Sequence, residues 1–356
     1  MSVQLPFSRV EIYGSGLIGT SIGLALASLG VDVQMVDADS RAESLAQQLV
    51  GPVKNMPFTP ELIISAVPIS AFSAVVSALE SRNYKGAFID VASVKTKVKD
   101  EVSSSNLPQE RFLPTHPMAG REVGGAESAR SDLFQGRAWI IDSTGVDGDV
   151  LLIASNLIAA LGADLVDLPV EEHDRAVALI SHLPQVIASL LAKQLSGNPE
   201  SWLTLAGSGL RDTTRIAGSD PKLWREIISA NSQSIKPLLR NFAEDLASFI
   251  ESIGDESAVE KLISDGQIGR LAIPGKHGGK VREYTYLPIV IEDKPGQLAA
   301  IFNECARANV NIEDLSIEHS PGQETGLITL ALSASDSVKL SDHLSKAGWS
   351  VHAPRA

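Results

Sequence analysis

Residues 10–37 read VEIYGSGLIGTSIGLALASLGVDVQMVD, and this stretch decides the fold of the first half of the chain. A β-rich apolar run, Val10 to Tyr13, leads into Gly14-Ser15-Gly16-Leu17-Ile18-Gly19, and a helical run follows. In such a strand–turn–helix unit the first glycine permits a tight turn and the second lets the backbone approach a pyrophosphate. The third lets the helix lie close on its strand. The N–H groups that open the helix, at Leu17, Ile18 and Gly19, then face the phosphates. A second strand, Val31 to Val36, ends in Asp37, close to the spacing at which a carboxylate meets the adenosine ribose hydroxyls. That carboxylate repels a 2′-phosphate and so favours NAD, while Arg41 leaves NADP open. A structural glycine turn is the alternative, and the strand, helix and acid in sequence favour the dinucleotide site.

The formal charge is −13, from 30 basic and 43 acidic residues, which argues against a nucleic-acid or anionic-membrane partner. Any anionic substrate must therefore meet a local basic cluster. One cysteine, Cys305, excludes an intramolecular disulfide and fits a reducing compartment. The start, MSVQLPFSRV, lacks a basic segment followed by an apolar one. No apolar run reads as long enough to span a bilayer. These features predict a cytoplasmic protein with no metal cluster evident.

Residues 1–168 alternate strand-like and helix-like stretches, with strands at Val10–Tyr13, Val31–Val36, Leu62–Ala66, Ala87–Val91, Phe112–Thr115, Ala138–Ile141 and Ala163–Asp167. That alternation predicts a Rossmann-type, doubly wound, mostly parallel sheet. From Pro169 to about residue 268 the texture is helical, with apolar residues at three-and-four spacing, as at Ala176, Leu179, Ile180, Leu183 and Ile187. So many apolar residues predict an all-helical domain that also forms a subunit interface. Residues 269–283 read as a glycine-rich basic linker. Residues 284–356 follow the order βαββαβ of a ferredoxin-like α+β module: Tyr284–Ile291, Gln297–Ala308, Asn311–His319, Leu327–Ser333, Ser337–Ala347 and Trp349–His352.

Polar and punctuating residues collect at the carboxyl ends of the early strands, where open α/β sheets bind ligands. Val67 and Pro68 follow the third strand, Ser93 the fourth, and His116 the fifth, in Thr115-His116-Pro117-Met118-Ala119-Gly120. A histidine beside a nicotinamide has the near-neutral pKa to take a hydroxyl proton as hydride leaves the same carbon; a satisfied core histidine is the other reading. Ser93 can orient that imidazole or cap the helix that follows. In the helical part, Arg211 and Arg215 precede the Ser219-Asp220-Pro221 helix start, where guanidinium forks can meet an anion or pair with Asp212 or Glu226. His182 interrupts an apolar run beside Pro184, so it either satisfies a kink or faces a ligand.

Together these stretches resemble the prephenate/arogenate dehydrogenase family of tyrosine biosynthesis: GSGLIGTSIG (14–23), DVASVKTKV (90–98), THPMAGREVGGAESA (115–129), HDRAVALISHLP (173–184) and DTTRIAGSDPKLWREI (212–227). Residues 284–356 look like an ACT domain, with the turn Asp293-Lys294-Pro295-Gly296. The resemblance implies that His116 accepts the proton of the ring hydroxyl while hydride passes to NAD, with Ser93 orienting it. It implies that Arg215 holds a substrate carboxylate and that Trp224 walls the pocket, with His182 and Gln185 near the substrate side chain. Some relatives carry a second histidine where this chain has Gln185, which leaves prephenate (a keto acid) and arogenate (an amino acid) both open. The ACT resemblance implies an amino-acid effector, the end product tyrosine, at Asp293, Gly296 and Asn311, with a second copy completing the site. A 3-hydroxyacid or imine-reducing dehydrogenase would use a helical-domain lysine, and Lys193 alone is available between residues 170 and 200. A non-catalytic sensor would leave His116, Ser93 and Arg215 without a joint role.

Overall fold

The computed structural model describes residues 5–121, 123–273, 284–319 and 325–355. Contacts divide the chain into two units, Met1–Glu244 and Asp245–Ala356.

In the first unit five parallel strands, β1 (Arg9–Tyr13), β2 (Asp32–Val36), β3 (Leu62–Ser65), β4 (Ala87–Asp90) and β5 (Phe112–Leu113), lie in the order β2-β1-β3-β4-β5. The connecting helices are α1 (Leu17–Ser28), α2 (Ser40–Val50), α3 (Phe72–Ser81) and α4 (Thr96–Ser103). Alternation along β3 shows the double winding directly. Leu62 and Ile64 join a core with Ile22, Leu26 and Ala46 of α1 and α2, while Ile63 joins Phe72, Val75 and Leu79 of α3 and Val98 of α4 on the other face. The strand order reverses between β1 and β3, so the glycine turn after β1 lies at the crevice where such sheets bind ligands.

The expected strand Phe112–Thr115 is two strands. Pro114 has no N–H to give the ladder, so β5 stops at Leu113 and the chain enters a second sheet. There β6 (Thr115–Pro117) runs antiparallel to β7 (Ala138–Ile141), which pairs in parallel with β8 (Asp164–Asp167). α5 (Gly148–Ala160) links the last two and buries Ala154 and Leu157. This break puts His116 in the middle of β6, a three-residue strand.

Six helical segments complete the first unit: α6 (Val170–Val177), α7 (Leu183–Lys193), α8 (Glu200–Leu203), α9 (Ser208–Thr214), α10 (Pro221–Ala230) and α11 (Ser232–Ser252), whose last residues cross into the second unit. A π turn, Ala178–His182, joins α6 to α7, and Pro184 just after it cannot donate to the carbonyl four residues back. The inward face of this long stretch mixes polar and apolar side chains: His173, Asp174, His182 and Gln185 are buried with Val170, Val177, Ala178 and Ala188, whereas Leu179 and Ile180 are 54% and 62% exposed. The apolar periodicity of the sequence thus marks an outward face. Val170–Lys193 is also, at 24 residues, long and apolar enough by length and composition to cross a bilayer, which corrects the expectation that no stretch reaches that length. Its buried side carries the polar network described below, and it packs against α9 and α10's preceding turn.

The second unit contains α12 (Glu256–Leu271), which extends into the stretch read as linker; residues 274–283 lie outside the described residues. After them come β9 (Thr285–Glu292), α13 (Gln297–Arg307), β10 (Asp314–His319), β11 (Thr325–Leu332), α14 (Ala334–Lys346) and β12 (Ser350–Val351), the expected βαββαβ order, in a sheet ordered β10-β11-β9-β12. Residues 320–324, between β10 and β11, also lie outside the described residues. α14 starts three residues earlier than the pattern suggests because Ser333 caps it, accepting from Asp336 N–H at 3.1 Å. Leu287, Ile289, Ile301, Ile328, Leu330 and Leu340 form this module's core.

Candidate active site

The nucleotide end is a backbone construction. Gly14 has φ +102°, and a Cβ there would lie 2.4 Å from the Ala66 carbonyl oxygen, where the end of β3 passes. A Cβ on Gly19 would lie 2.0 Å from the Gly14 carbonyl oxygen. Around Gly16 nothing stands within 4 Å of where a Cβ would be, so the space that a pyrophosphate needs is open. α1 has no side-chain cap and no acid in its first turn, which leaves the N–H groups of Leu17, Ile18 and Gly19 for an anion. Ser15 Oγ is buried with no partner among the described residues. These features fit a dinucleotide. Asp37 closes the turn: its carboxylate accepts Ser15 N–H at 2.6 Å and Asp39 N–H at 2.9 Å. Val67 is half-buried and Pro68 exposed at the end of β3, and Pro68 opens the short turn Ile69–Ala71. There Ser70 Oγ donates to Glu226 of α10 at 2.9 Å, tying the helical part over the strand end.

The histidine end is built from buried polar side chains. Thr115 N–H donates to the Asp90 carboxylate at 3.2 Å, its hydroxyl donates to the Asp90 carbonyl at 2.5 Å, and Trp139 Nε1–H donates to that hydroxyl at 2.9 Å. Lys95 is buried, ion-paired with Asp90, and donates to the Thr115 carbonyl at 2.5 Å. The residue before His116 is therefore fixed on every side. His116 itself is half-buried, and its Nδ1 lies 2.9 Å from His173 Nε2. His173 Nδ1 lies 2.8 Å from Asp174 Oδ1. Asp174 also accepts the N–H groups of Lys95 and Thr96, at 2.8 and 2.9 Å. α4 is thus capped by Asp174, from the helical domain, and not by Ser93.

His182 follows on. Its Nδ1 lies 3.1 Å from Asn231 Nδ2, which also donates to the Asp174 carbonyl at 2.7 Å. Trp224 stands edge-on to His182 with ring centroids 6.0 Å apart. The π turn makes this convergence possible. Nine residues separate His173 from His182, about two and a half turns of regular helix, which would set them on opposite faces. One wide turn absorbs a residue and swings His182 toward Asp174. Burial, with His173 acting in the same sense, lowers the His182 pKa to about 4 although Asp174 opposes it. Burial also holds His116 well below the usual 6.5, helped by His173, Lys95 and His182. Hydrogen bonds from His173, Lys95 and Thr96 outweigh burial at Asp174 and bring it to about 2.

The structure brings together His116, His182 and Trp224 through three residues that sequence reasoning missed: His173, Asp174 and Asn231. An adjacent histidine and aspartate opening the helical domain was the available signal. The remaining expected residues stand apart from this network. Ser93 is half-buried in the loop before α4, and the His116 Nδ1 partner is His173 instead. Gln185 is buried and donates to the Ile216 carbonyl at 2.9 Å, so it anchors the turn Arg215–Gly218. Arg215 is exposed at the start of that turn. Glu226 is engaged by Ser70 and lies 3.8 Å from Arg225. Lys193 is exposed at the far end of α7. In the C-terminal module Asp293 and Gly296 lie at the end of β9, with Gly296 at φ +92°. Asn311 precedes β10, which runs parallel to β9 across β11, so one copy holds the two groups at opposite ends of its sheet. An open cleft of about 350 Å³ beside the turn is lined by Glu292, Gln297, Trp349 and Ser350, at the small end of the range for ligand sites.

Residues 22–167 match the family described as prephenate dehydrogenase, nucleotide-binding domain. Residues 169–264 match its dimerization domain, and residues 285–340 the ACT domain. A protein of Streptomyces niveus, described as a probable prephenate dehydrogenase, is 31% identical over 353 residues, covering 95% of this chain and 98% of that one. The chain belongs to the prephenate dehydrogenase family. As a member it is an NAD-dependent oxidoreductase. The prephenate dehydrogenase of Bacillus subtilis is 25% identical over 93% of each chain. Among solved structures, prephenate dehydrogenase from A. aeolicus, in complex with hydroxyphenyl propionate and NAD+, superposes with TM-score 0.68 at 26% identity, covering 76% of this chain and all of that one. An arogenate dehydrogenase of Synechocystis shares the fold, with TM-score 0.63 at 24% identity over 74% of this chain.

Proposed function

We propose that the chain oxidatively decarboxylates prephenate to 4-hydroxyphenylpyruvate with NAD as hydride acceptor. The observation that carries this reading is His116, held largely unprotonated by burial and by His173, in the same unit as the glycine turn. NAD bound at that turn supplies a hydride acceptor. His116 takes the proton of the ring hydroxyl as hydride leaves C4, and the C1 carboxylate departs as CO2, its bonding electrons completing the aromatic ring. The protein need only orient the reactants and polarise one hydroxyl. Ser93 orients the hydroxyl from the loop before α4, Arg215 takes a substrate carboxylate on the turn that Gln185 anchors, and Trp224 with His182 forms the wall. Relatives named prephenate dehydrogenase support the keto acid; arogenate is the competing substrate. Adding prephenate, then arogenate, with NAD or NADP and following reduced nicotinamide decides substrate and cofactor together. No turnover with either acid overturns the reading.

The domains are read as 1–168, 169–268 and 284–356, and the working unit as a cytoplasmic homodimer. Exposed apolar residues on α11 and α12, among them Leu246, Ile250 and Ile263, are the face a second copy would cover. Tyrosine is read as the effector at the Asp293–Gly296 turn, completed by Asn311 of a second copy, since one copy keeps these groups apart. Inhibition by tyrosine that is non-competitive with prephenate supports this, and purely competitive inhibition overturns it.

A further inference from the structure

We propose that His173, Asp174 and Asn231 set opposite tautomers on the two histidines of the site, so that His116 presents a bare, basic Nε2 and His182 an Nε2–H donor. The catalytic meaning of this assignment rests on the reading of His116 as the base.

The argument starts at Asp174, whose carboxylate stays ionised under three N–H contacts, from Lys95, Thr96 and His173. An ionised carboxylate only accepts, so the hydrogen between Asp174 and His173 sits on His173 Nδ1. When His173 carries no charge its lone pair is on Nε2, and that nitrogen faces His116 Nδ1 at 2.9 Å. The contact needs one hydrogen, which must come from His116. His116 is therefore the Nδ1–H tautomer, and its Nε2 is left to accept a proton. When it does, the new charge shares its Nδ1–H with His173, itself backed by an anion, in the manner of the aspartate that orients a catalytic histidine.

Asn231 fixes the other ring by the same logic. The Asp174 carbonyl only accepts, so the amide group 2.7 Å from it is the NH2. The second hydrogen of that NH2 meets His182 Nδ1 at 3.1 Å. His182 Nδ1 thus accepts, and the neutral ring bears its hydrogen on Nε2. The charged and titratable groups facing His116 from the elements around it are Lys95, His173, Asp174 and His182; Lys95 Nζ is placed on Asp90 and the Thr115 carbonyl, which leaves His173 at the His116 Nδ1. A site with one fixed acceptor and one fixed donor suits a small acid with a hydroxyl at one end and a carbonyl or carboxylate oxygen at the other.

The test is nitrogen–proton correlation NMR of the histidine rings in the full-length protein at neutral pH, assigned with His116→Asn and His182→Gln. His116 protonated on Nδ1 and His182 on Nε2 are expected; the reverse state at either ring overturns the assignment. In Asp174→Asn the carboxamide can donate to His173, which reverses the chain and puts the His116 hydrogen on Nε2. kcat should then fall ~10²–10⁴-fold with a much smaller change in KM. Because Asp174 also caps α4, His173→Gln and His173→Leu form a second arm. Gln keeps an oxygen to accept from His116 Nδ1 and should retain kcat within roughly tenfold of wild type, whereas Leu should lose ~10²-fold or more. Equal activity of these two variants overturns the positioning role. The ring spectra do not depend on turnover, so an active His116→Asn enzyme would remove the catalytic reading alone, and wrong tautomers would remove this proposal alone.

Discussion

At the glycine turn, Gly14 to Gly19, the chain makes a binding surface by omitting side chains; at His116 it makes one by burying them. The first region is six consecutive residues, held by backbone contacts to Ala66 and one carboxylate, Asp37. The second draws Asp90, Lys95, His173, Asp174 and Asn231 from segments up to 141 positions apart, as 231 − 90 gives, and each is buried. A dinucleotide brings its own reactive centre, so its site need only leave room and present N–H groups. Proton transfer needs a nitrogen in a defined protonation state, and only neighbours that accept or donate can define it. The two regions should therefore fail differently when altered.

The largest effect is expected at the histidine end. His116→Asn should lower kcat by ~10²–10⁴, the usual worth of general base help, and leave NAD binding nearly unchanged. Steady-state kinetics with a separate NAD titration checks this. A loss below tenfold would take His116 out of the chemistry.

Next comes Arg215→Ala, which should act through KM for the acid substrate. Losing a charge-assisted hydrogen bond to a carboxylate costs roughly 1.5–3 kcal/mol. If KM holds while circular dichroism shows an intact fold, the carboxylate is held elsewhere, with Arg211 or Arg225 as the next candidates.

The buried histidines also predict acid sensitivity. The His182 pKa is about 4 in the fold against 6.5 when unfolded, so the fold holds its neutral form. That stabilisation is fully present above pH 6.5 and is lost as pH falls through about 4. Over the whole shift it amounts to about 3 kcal/mol. Asp174, at about 2 against 3.8, acts in the same direction at lower pH: its contribution is present above 3.8 and is lost through about 2. Melting temperatures measured from neutral pH downward should fall for the wild type and fall less steeply for His182→Gln. Parallel curves for the two proteins would show that His182 is solvated.

How much of this was legible follows the same division. The strands, the glycine turn and the βαββαβ order of the last module rest on period-two and period-three-and-four patterns within ten or so residues, and the sequence displays them. The corner at His116 does not declare itself, because its partners lie 57 residues on, at His173, and Asp174 in turn meets Lys95 from 79 residues away. Two local rules also misled. Pro114 divides what the apolar pattern presents as one strand, and the π turn at Ala178–His182 shifts the helical register so that Leu179 and Ile180 face outward. Ser93 has the look of a helix cap, yet the cap is Asp174. The cap and the wide turn are non-local in cause: Asp174 reaches α4 from 79 residues away, and the wide turn persists where it lets His182 reach Asn231.

At the glycine end the expected effects are smaller and fall on the cofactor. Gly14→Ala places a Cβ 2.4 Å from the Ala66 carbonyl oxygen at a φ of +102°, a strain of roughly 1–3 kcal/mol or more. NAD affinity and melting temperature should both fall, while the pH profile of whatever activity remains stays that of the wild type. A shifted profile would mean that the two regions are coupled, against the separation argued above.

The smallest effect is expected at Asp37. Its carboxylate accepts the N–H groups of Ser15 and Asp39 and so holds the glycine turn against the end of β2. It is also the negative charge that a 2′-phosphate would meet. Asp37→Ser removes both functions. NAD use should weaken because the turn loses a charged acceptor and the ribose a partner. NADP use should weaken less, because a repulsion disappears while the exposed Arg41 remains nearby. The ratio of kcat/KM for NAD to that for NADP should therefore drop, by roughly tenfold for one charge-assisted contact exchanged. Measured on the same preparation with saturating acid substrate, that ratio is insensitive to any partial loss of active enzyme. An unchanged ratio, or a wild type that already prefers NADP, would show that Arg41 and its neighbours govern the choice and that Asp37 serves the turn alone.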